Sequence, residues 1–267
     1  MSGWDCHAHL FGPYARYPLA AERCYTPPEA VASQYLARLD SLGLSHGVLV
    51  HPSAYGEDFS LLFDALAAHR RLRGVIVARE PTYDTLAGLR ERGIRAARFS
   101  HRSGAGANFA GSASFDDLLL MAPRLADAGL HAELWTDCRA LPEIAERLRA
   151  LPVPVVIDHM GGFDVAAGVD DAGFRSLLSL VESGRVWVKL CAYRNLLTAD
   201  SLDAGEPFHR ALMQANPGRM LWGSDWPHLR VTPAPDTGAL LDLFKQWTAS
   251  EALRTQVLVG NPAALYE

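Results

Sequence analysis

Eight short apolar runs recur along this chain, and their regular spacing limits the fold more than any other feature. They are Trp4–Phe11, Gly47–Ser53, Leu72–Arg79, Ile94–Ser100, His131–Asp137, Val153–His159, Val186–Cys191 and Met220–Trp226. Most are near-continuously apolar, the pattern of strands buried on both faces of a parallel sheet. Segments with helical spacing separate most of them. Glycine stands at the helix-to-strand step in Gly43-Leu44, Gly93-Ile94 and Gly129-Leu130, where it supplies the left-handed cap that turns the chain back. Thr26-Pro27-Pro28-Glu29 reads as a capping box with proline just inside a helix. Val31, Tyr35, Leu39 and Leu42 follow at helical spacing before Gly43. Ser114-Phe115-Asp116-Asp117 opens another helix, through Leu118, Met121 and Leu125 to Gly129. One repeated βα unit over 267 residues predicts an α/β chain: a (β/α)8 TIM barrel, regular or distorted, with helices at its C-terminus and one domain over 1–267. A doubly wound open sheet is the alternative, but no Gly-x-Gly-x-x-Gly follows the first run.

Composition removes several classes of function. With 49% hydrophobic and 21% charged residues the chain is neither disordered nor fibrous. A net charge of −5, and no basic run longer than His69-Arg70-Arg71, argue against a nucleic-acid partner. No apolar stretch is long enough for a membrane span. Met1-Ser2-Gly3-Trp4-Asp5 lacks the regions of a secretion signal. Cys6, Cys24, Cys138 and Cys191 have no paired spacing and read as reduced thiols. The expected location is the cytoplasm.

In such a barrel, chemistry gathers where strands end. The first run holds Asp5, His7 and His9 at alternate positions, which predicts one shared face. Two imidazoles so placed serve as a metal pair or as proton donors. Asp225 closes the eighth run, where a buried carboxylate needs a partner or a task. In a closed barrel the first strand is its neighbour. His159 ends the sixth run and makes a third imidazole; a hydrogen-bonded core histidine is the plainer reading. Arg98 lies inside the fourth run, so either a protein carboxylate or an anionic ligand must satisfy it. Arg194, after the seventh run, is a second candidate for gripping a substrate carboxylate. The glycine-rich stretch 103–111 lacks the lysine of a phosphate loop. It reads as a mobile loop over the site or as a solvated linker.

Together these residues resemble the amidohydrolase superfamily, and within it the branch of 2-pyrone-4,6-dicarboxylate lactonases. The matching stretches are Asp5-Cys6-His7-Ala8-His9-Leu10-Phe11-Gly12-Pro13, Tyr25-Thr26-Pro27, Arg98-Phe99 and Asp158-His159-Met160-Gly161. Leu221-Trp222-Gly223-Ser224-Asp225-Trp226-Pro227-His228 and the stretch from Asn261-Pro262 to Leu265-Tyr266 complete the set. The resemblance implies that Asp225 is a general base activating water, while His7, His9 and His159 polarise a lactone carbonyl. It implies that Arg98 and Arg194 hold a dicarboxylate, in a pocket that Tyr25, Ser53, Trp135 and His228 help to line. Two positions depart from that branch. Trp135 stands where it has an aromatic hydroxyl, and Gly104 where it has a further arginine, leaving only Arg102 nearby.

Metal-dependent members of the superfamily add a modified lysine after strand four or a histidine after strand five. Here strand four carries Arg98, and His131 begins strand five. A metal-free site is therefore favoured. A single zinc, were one bound, would take His7, His9 and Asp225, with His159 a further candidate. The expected function is ring opening of a small anionic lactone, with 2-pyrone-4,6-dicarboxylate the leading substrate. A sugar-lactone hydrolase or isomerase, a metal-dependent aromatic-acid decarboxylase and a non-catalytic small-molecule binder are the alternatives.

Overall fold

The computed structural model describes residues 3–77, 79, 86, 88–104, 109–197 and 201–267. The strands are β1 (Gly3–Ala8), β2 (Leu44–Val50), β3 (Leu72–Val77), β4 (Ile94–His101), β5 (His131–Thr136), β6 (Val155–Ile157), β7 (Val186–Leu190) and β8 (Met220–Trp222). They pair in chain order, each parallel to the next. The helices around them are α1 (Ala32–Ser41), α2 (Ser60–Ala68), α3 (Phe115–Asp127), α4 (Leu141–Ala150), α5 (Ala172–Glu182), α6 (Glu206–Ala215) and α7 (Thr237–Trp247). Two short helices, α8 (Glu251–Thr255) and α9 (Asn261–Tyr266), end the chain. The expected (β/α)8 barrel is the fold found. Among the described residues no helix is long and apolar enough to cross a membrane.

The alternation of each strand divides the core in two. Trp4, Cys6, Val48, Val50, Val75, Ala96, Val156, Trp187 and Leu221 form one buried cluster with Tyr266. These residues come from seven strands and one terminal helix, the composition of a filled barrel interior. The other residues of the sheet pack outward against α1 to α7 in a much larger cluster. At the end away from the site, α9 acts as a plug. Its Tyr266 carbonyl accepts from Arg95 Nε at 2.7 Å and Arg73 Nε at 3.1 Å. The Tyr266 hydroxyl reaches inward to Glu133 Oε1 at 2.8 Å.

β8 has only 3 residues, so the barrel does not close with a long ladder. Three short links replace it. Asp225 N donates to His7 O at 2.8 Å, His9 N donates to Trp226 O at 2.8 Å, and Asp5 clamps the seam. Asp5 Oδ1 accepts from Ser224 N at 2.8 Å, and Oδ2 accepts from Ser224 Oγ at 2.6 Å. Tyr35 of α1 also donates to Oδ2 at 3.1 Å. Asp5 therefore does not share a face with His7 and His9. The β1–β2 register is irregular between Asp5 and Ala8, which breaks the strict alternation.

The helix starts were legible only where local chemistry acted alone. Ser114 caps α3 as expected, its hydroxyl accepting from Asp117 N at 3.1 Å while Asp117 Oδ2 accepts from Ser114 N at 2.6 Å. Thr26 and Glu29 do not open α1, which begins at Ala32 with Val31 as cap. Ala30 and Phe11 exchange backbone hydrogen bonds at 2.7 and 2.8 Å, holding that segment extended. Glu29 Oε1 is used by Tyr14 N at 2.5 Å. Gly43, Gly93 and Gly129 do adopt positive φ of 68°, 91° and 66° at the predicted turns.

Replacing Asp5 by Ala strands several buried donors at the seam, and such losses cost about 1–3 kcal/mol per group. Urea unfolding of Asp5→Ala should show a loss of at least about 2 kcal/mol. A variant as stable as the parent would mean that the seam closes without Asp5.

Candidate active site

The strand ends meet over the barrel mouth. His9 Nε2 lies 3.4 Å and His7 Nε2 3.7 Å from Asp225 Oδ1, and the two ring nitrogens are 3.3 Å apart. His159 follows β6, its ring centroid 4.8 Å from that of His7. Asp225 has φ of 59° and His159 has φ of 49°, left-handed conformations uncommon for these residues. Such backbone strain clusters where side chains are aimed for a task. All four residues are buried.

Asp225 is held at one oxygen and open at the other. Oδ2 accepts from Tyr193 Oη at 2.7 Å and from Arg194 Nε. Oδ1 is buried and has no hydrogen-bond partner. Burial would raise this carboxyl, but Arg194 above all holds it well below the usual range. The aspartate is therefore ionised at any ordinary pH, with one oxygen free beside two imidazoles.

Below the mouth sits a cluster of charge that sequence reasoning missed. Lys189 of β7 is fully buried. Its Nζ lies 2.5 Å from Glu133 Oε2, 3.3 Å from Asp158 Oδ1 and 3.2 Å from His7 Nδ1. Asp158 Oδ2 also accepts from Arg98 Nε at 2.8 Å. Burial works against the lysine charge, but Asp158 and Glu133 outweigh it and hold the ammonium above its ordinary value. In turn Lys189 overcomes burial to bring Glu133 down to about 2. Burial, then Lys189, push His7 down to about 4, so its ring is neutral near pH 7. The available signal was an ionisable residue at an inward position of an apolar strand, as in Val188-Lys189-Leu190 and Ala132-Glu133-Leu134.

The remaining predicted residues fall around this centre. Arg98 and Arg194 lie at the mouth, each with one nitrogen on a protein carboxylate, so a protein partner meets the demand at Arg98. Trp135 of β5 lies beneath both Arg98 and Arg102, whose guanidinium carbons are 5.5 and 4.6 Å from its ring. Arg102 is half-exposed and 3.8 Å from Asp137. Burial raises the Tyr25 hydroxyl above its ordinary value, against the opposing pull of nearby Ser53, Arg98 and Arg230. Arg230 was not picked out from the sequence. His228 stacks edge-on against Tyr193 at 5.3 Å and bonds Thr237 Oγ1 through Nε2 at 2.9 Å. Residues 105–108 of the glycine-rich stretch lie outside the described residues. Phe109, at its end, packs on Trp135 at 5.5 Å.

Among the described residues, two groups of three donor atoms lie within 4.8 Å of one another: His7, His159 and Asp225, and His7, Glu133 and Asp158. The chain's own Lys189 ammonium fills the second. The first could hold a divalent ion. Asp225 Oδ1 and His159 Nδ1 are buried without hydrogen-bond partners. His9 adds a bare nitrogen: its Nδ1 is 2.8 Å from the Val50 carbonyl, which can only accept, so in the neutral ring Nε2 carries the lone pair.

A parallel barrel with one histidine on β1 and another just after it, a histidine after β6 and an aspartate after β8 defines an amidohydrolase-type barrel. The chain belongs to the Amidohydrolase family, whose model matches residues 4–267. It is 37% identical over 269 residues to a 4-sulfomuconolactone hydrolase of Rhizobium radiobacter, covering 98% of this chain and 89% of the relative. It is 34% identical over 275 residues to a 2-pyrone-4,6-dicarboxylate hydrolase of Comamonas testosteroni, covering 98% and 89%. A Pseudomonas putida crystal structure of a candidate 2-pyrone-4,6-dicarboxylic acid hydrolase superposes with a TM-score of 0.82 at 31% identity, covering 99% of this chain and 97% of that one. A Burkholderia multivorans amidohydrolase that holds zinc shares the fold, with a TM-score of 0.73 at 20% identity, covering 100% and 99%. The protein is an enzyme, a hydrolase whose named relatives include lactone hydrolases.

Four buried histidines, His7, His51, His209 and His228, are each pushed by burial from 6.5 down to about 4. Between those values the unfolded chain binds protons that the folded chain does not, so stability rises with pH there. Asp5, raised by burial from 3.8 to about 6, acts in the opposite sense. Four groups outweigh one, so stability should fall as pH drops from about 6.5 to about 4. Denaturant unfolding at pH 7, 5.5 and 4.5 checks this; flat or rising stability toward acid would contradict the neutral rings.

Proposed function

We propose that the protein opens a small lactone ring carrying anionic groups, with 2-pyrone-4,6-dicarboxylate the leading substrate. The observation that carries this reading is the split environment of Asp225. Oδ2 is tied to Tyr193 and Arg194, while Oδ1 faces His7 and His9 with no partner. A water between Oδ1 and a ring carbonyl would lose its proton to Asp225 as its oxygen attacks the carbonyl carbon. The imidazoles surround the place where the oxyanion would form. On collapse the ring carbon–oxygen bond breaks and the leaving oxygen takes the proton back from Asp225. Well-placed donors to an oxyanion each contribute about 3–4 kcal/mol, and a positioned base about 10²–10⁴-fold.

Arg98, Arg102 and Arg194 give the mouth a cationic lining. A guanidinium has five donors in a fork suited to carboxylates. Bonds from Nε to Asp158 or Asp225 hold the fork in place for an anionic group. The same lining suits a sulfonate, and the 37% identical relative makes a sulfonated muconolactone the second candidate. Trp135 supports it, since an indole there removes the hydroxyl that the pyronase branch offers its substrate.

His7, His159 and Asp225 present groups for a single divalent ion such as zinc, which when bound would supply Lewis-acid polarisation of a carbonyl or a water. A panel of anionic and neutral lactones, each assayed with and without chelator and with metal content measured, tests substrate and metal together. Asp225→Asn should fold and lower kcat at least about a hundredfold. Arg98→Met should raise KM for dicarboxylated lactones far more than for neutral ones. Turnover of none of the anionic lactones, or near-normal turnover by Asp225→Asn, would remove this reading.

A further inference from the structure

The proposed hydrolysis leaves open which imidazole donates to the oxyanion and which accepts from water. A hydrogen-bond chain through the site decides it. Lys189 Nζ is 3.2 Å from His7 Nδ1, His7 Nε2 is 3.3 Å from His9 Nε2, and His9 Nδ1 is 2.8 Å from Val50 O. Both ends have fixed polarity: an ammonium can only donate, and a carbonyl can only accept. With one proton on each ring the chain runs one way. Lys189 donates to a bare His7 Nδ1, His7 Nε2–H points at His9, and His9 Nδ1–H ends on the Val50 carbonyl.

The lysine's own needs support this direction. Its ammonium has two hydrogen-bond partners, Glu133 Oε2 at 2.5 Å and His7 Nδ1 at 3.2 Å, and an ion-pair contact with Asp158 Oδ1 at 3.3 Å. His7 Nδ1 also lies 3.3 Å from Asp158 Oδ1. A proton on Nδ1 could use that oxygen, but one ammonium hydrogen would then be buried against an N–H with no acceptor. Such an unmatched buried donor is costly.

We infer that Lys189 is a positioning residue that works through this chain: in the resting site His7 Nε2–H is donated to His9, and on binding it passes to the lactone oxyanion while the released His9 Nε2 accepts from the attacking water. A cationic bond at Nδ1 also withdraws charge from the His7 ring and strengthens Nε2–H as a donor. His9 Nε2, bare and 3.4 Å from Asp225 Oδ1, pairs with that carboxylate around the water. The two first-strand imidazoles thus have opposite roles.

The catalytic part of this inference rests on the lactonase reading; the ring protonation does not. Long-range proton–nitrogen spectra of ¹⁵N-histidine-labelled protein, assigned with His7→Gln and His9→Gln, report it directly. The wild type should show His7 bare at Nδ1 and protonated at Nε2, and His9 the reverse. A proton on His7 Nδ1 would overturn the inference, whether or not any lactone is turned over. Lys189→Met should move the His7 proton to Nδ1, facing Asp158, and lower kcat about a hundredfold with KM changed less than about threefold. Because that variant leaves carboxylates unpaired, Lys189→Met/Glu133→Leu removes the ion pair as a unit, a change buried pairs often tolerate. If the double variant folds with full kcat or an unmoved His7 proton, Lys189 is structural only. If the wild type opens no lactone, the functional reading fails and the spectra alone decide the tautomers.

Discussion

The seam between the first and last strands is the constraint on which the site depends. A three-residue final strand cannot close a barrel by ladder hydrogen bonds alone. The chain substitutes a buried carboxylate, Asp5, and two backbone bonds that also belong to the site, Asp225 N to His7 O and His9 N to Trp226 O. Closure and the geometry of the candidate site are therefore the same set of contacts. The residues that complete the fold also set the approach of Asp225 to two imidazoles at 3.4 and 3.7 Å. This explains why the turn after β8 tolerates a left-handed aspartate: its amide is committed to the seam, and its carboxylate to the mouth.

The charges inside the barrel need a different explanation. Lys189, Glu133, Asp158 and Arg98 bring together two positive and two negative groups, so the set is neutral. Taking each ion from water still costs several kcal/mol, and replacing a buried pair by apolar residues is often neutral or stabilising. Stability alone does not account for such a cluster. Orientation does: a rigid ammonium at the back of His7 fixes a ring whose other nitrogen faces the mouth. Tyr266, reaching Glu133 from the far end, ties the C-terminal plug to the same column of polar groups.

The architecture was legible because it repeats. Eight apolar runs and three capping glycines are redundant signals, and an error in one leaves the barrel intact. Strand ends were less legible, since the eighth run reads as continuous to Trp226 while β8 ends at Trp222 and Trp226 pairs with Ala8 only through an isolated bridge. The α1 start was misplaced because a long-range bridge between Phe11 and Ala30 overrides a local capping pattern. In the site, residues at strand ends could be found because position and chemistry agree there. Asp225, His7, His9 and His159 do meet, but Asp5 turns away where the β1 register slips. Lys189 and Glu133 were passed over because a strand read as apolar hides one ionic residue. Only the barrel shows that Glu133 of β5 and Asp158, just after β6, converge on the ammonium of Lys189 from β7.

Net charge gives a misleading guide to what such an enzyme binds. The chain carries −5 overall, yet Arg98, Arg102 and Arg194 converge on the mouth, while the carboxylates nearest to it are paired. Asp158 is shared by Lys189 and Arg98, and Asp225 by Arg194 and Tyr193. Arg98 and Arg194 are thus partly offset in charge but fixed in direction. What remains for a ligand is a set of oriented donors, not a diffuse positive field. Oriented donors favour planar carboxylates or a compact sulfonate at defined positions, and low-dielectric walls concentrate the local field that guides them in. Asp158, which tempers Arg98, also faces Lys189 and His7, so on the proposed reading anion recognition and water activation would share one network.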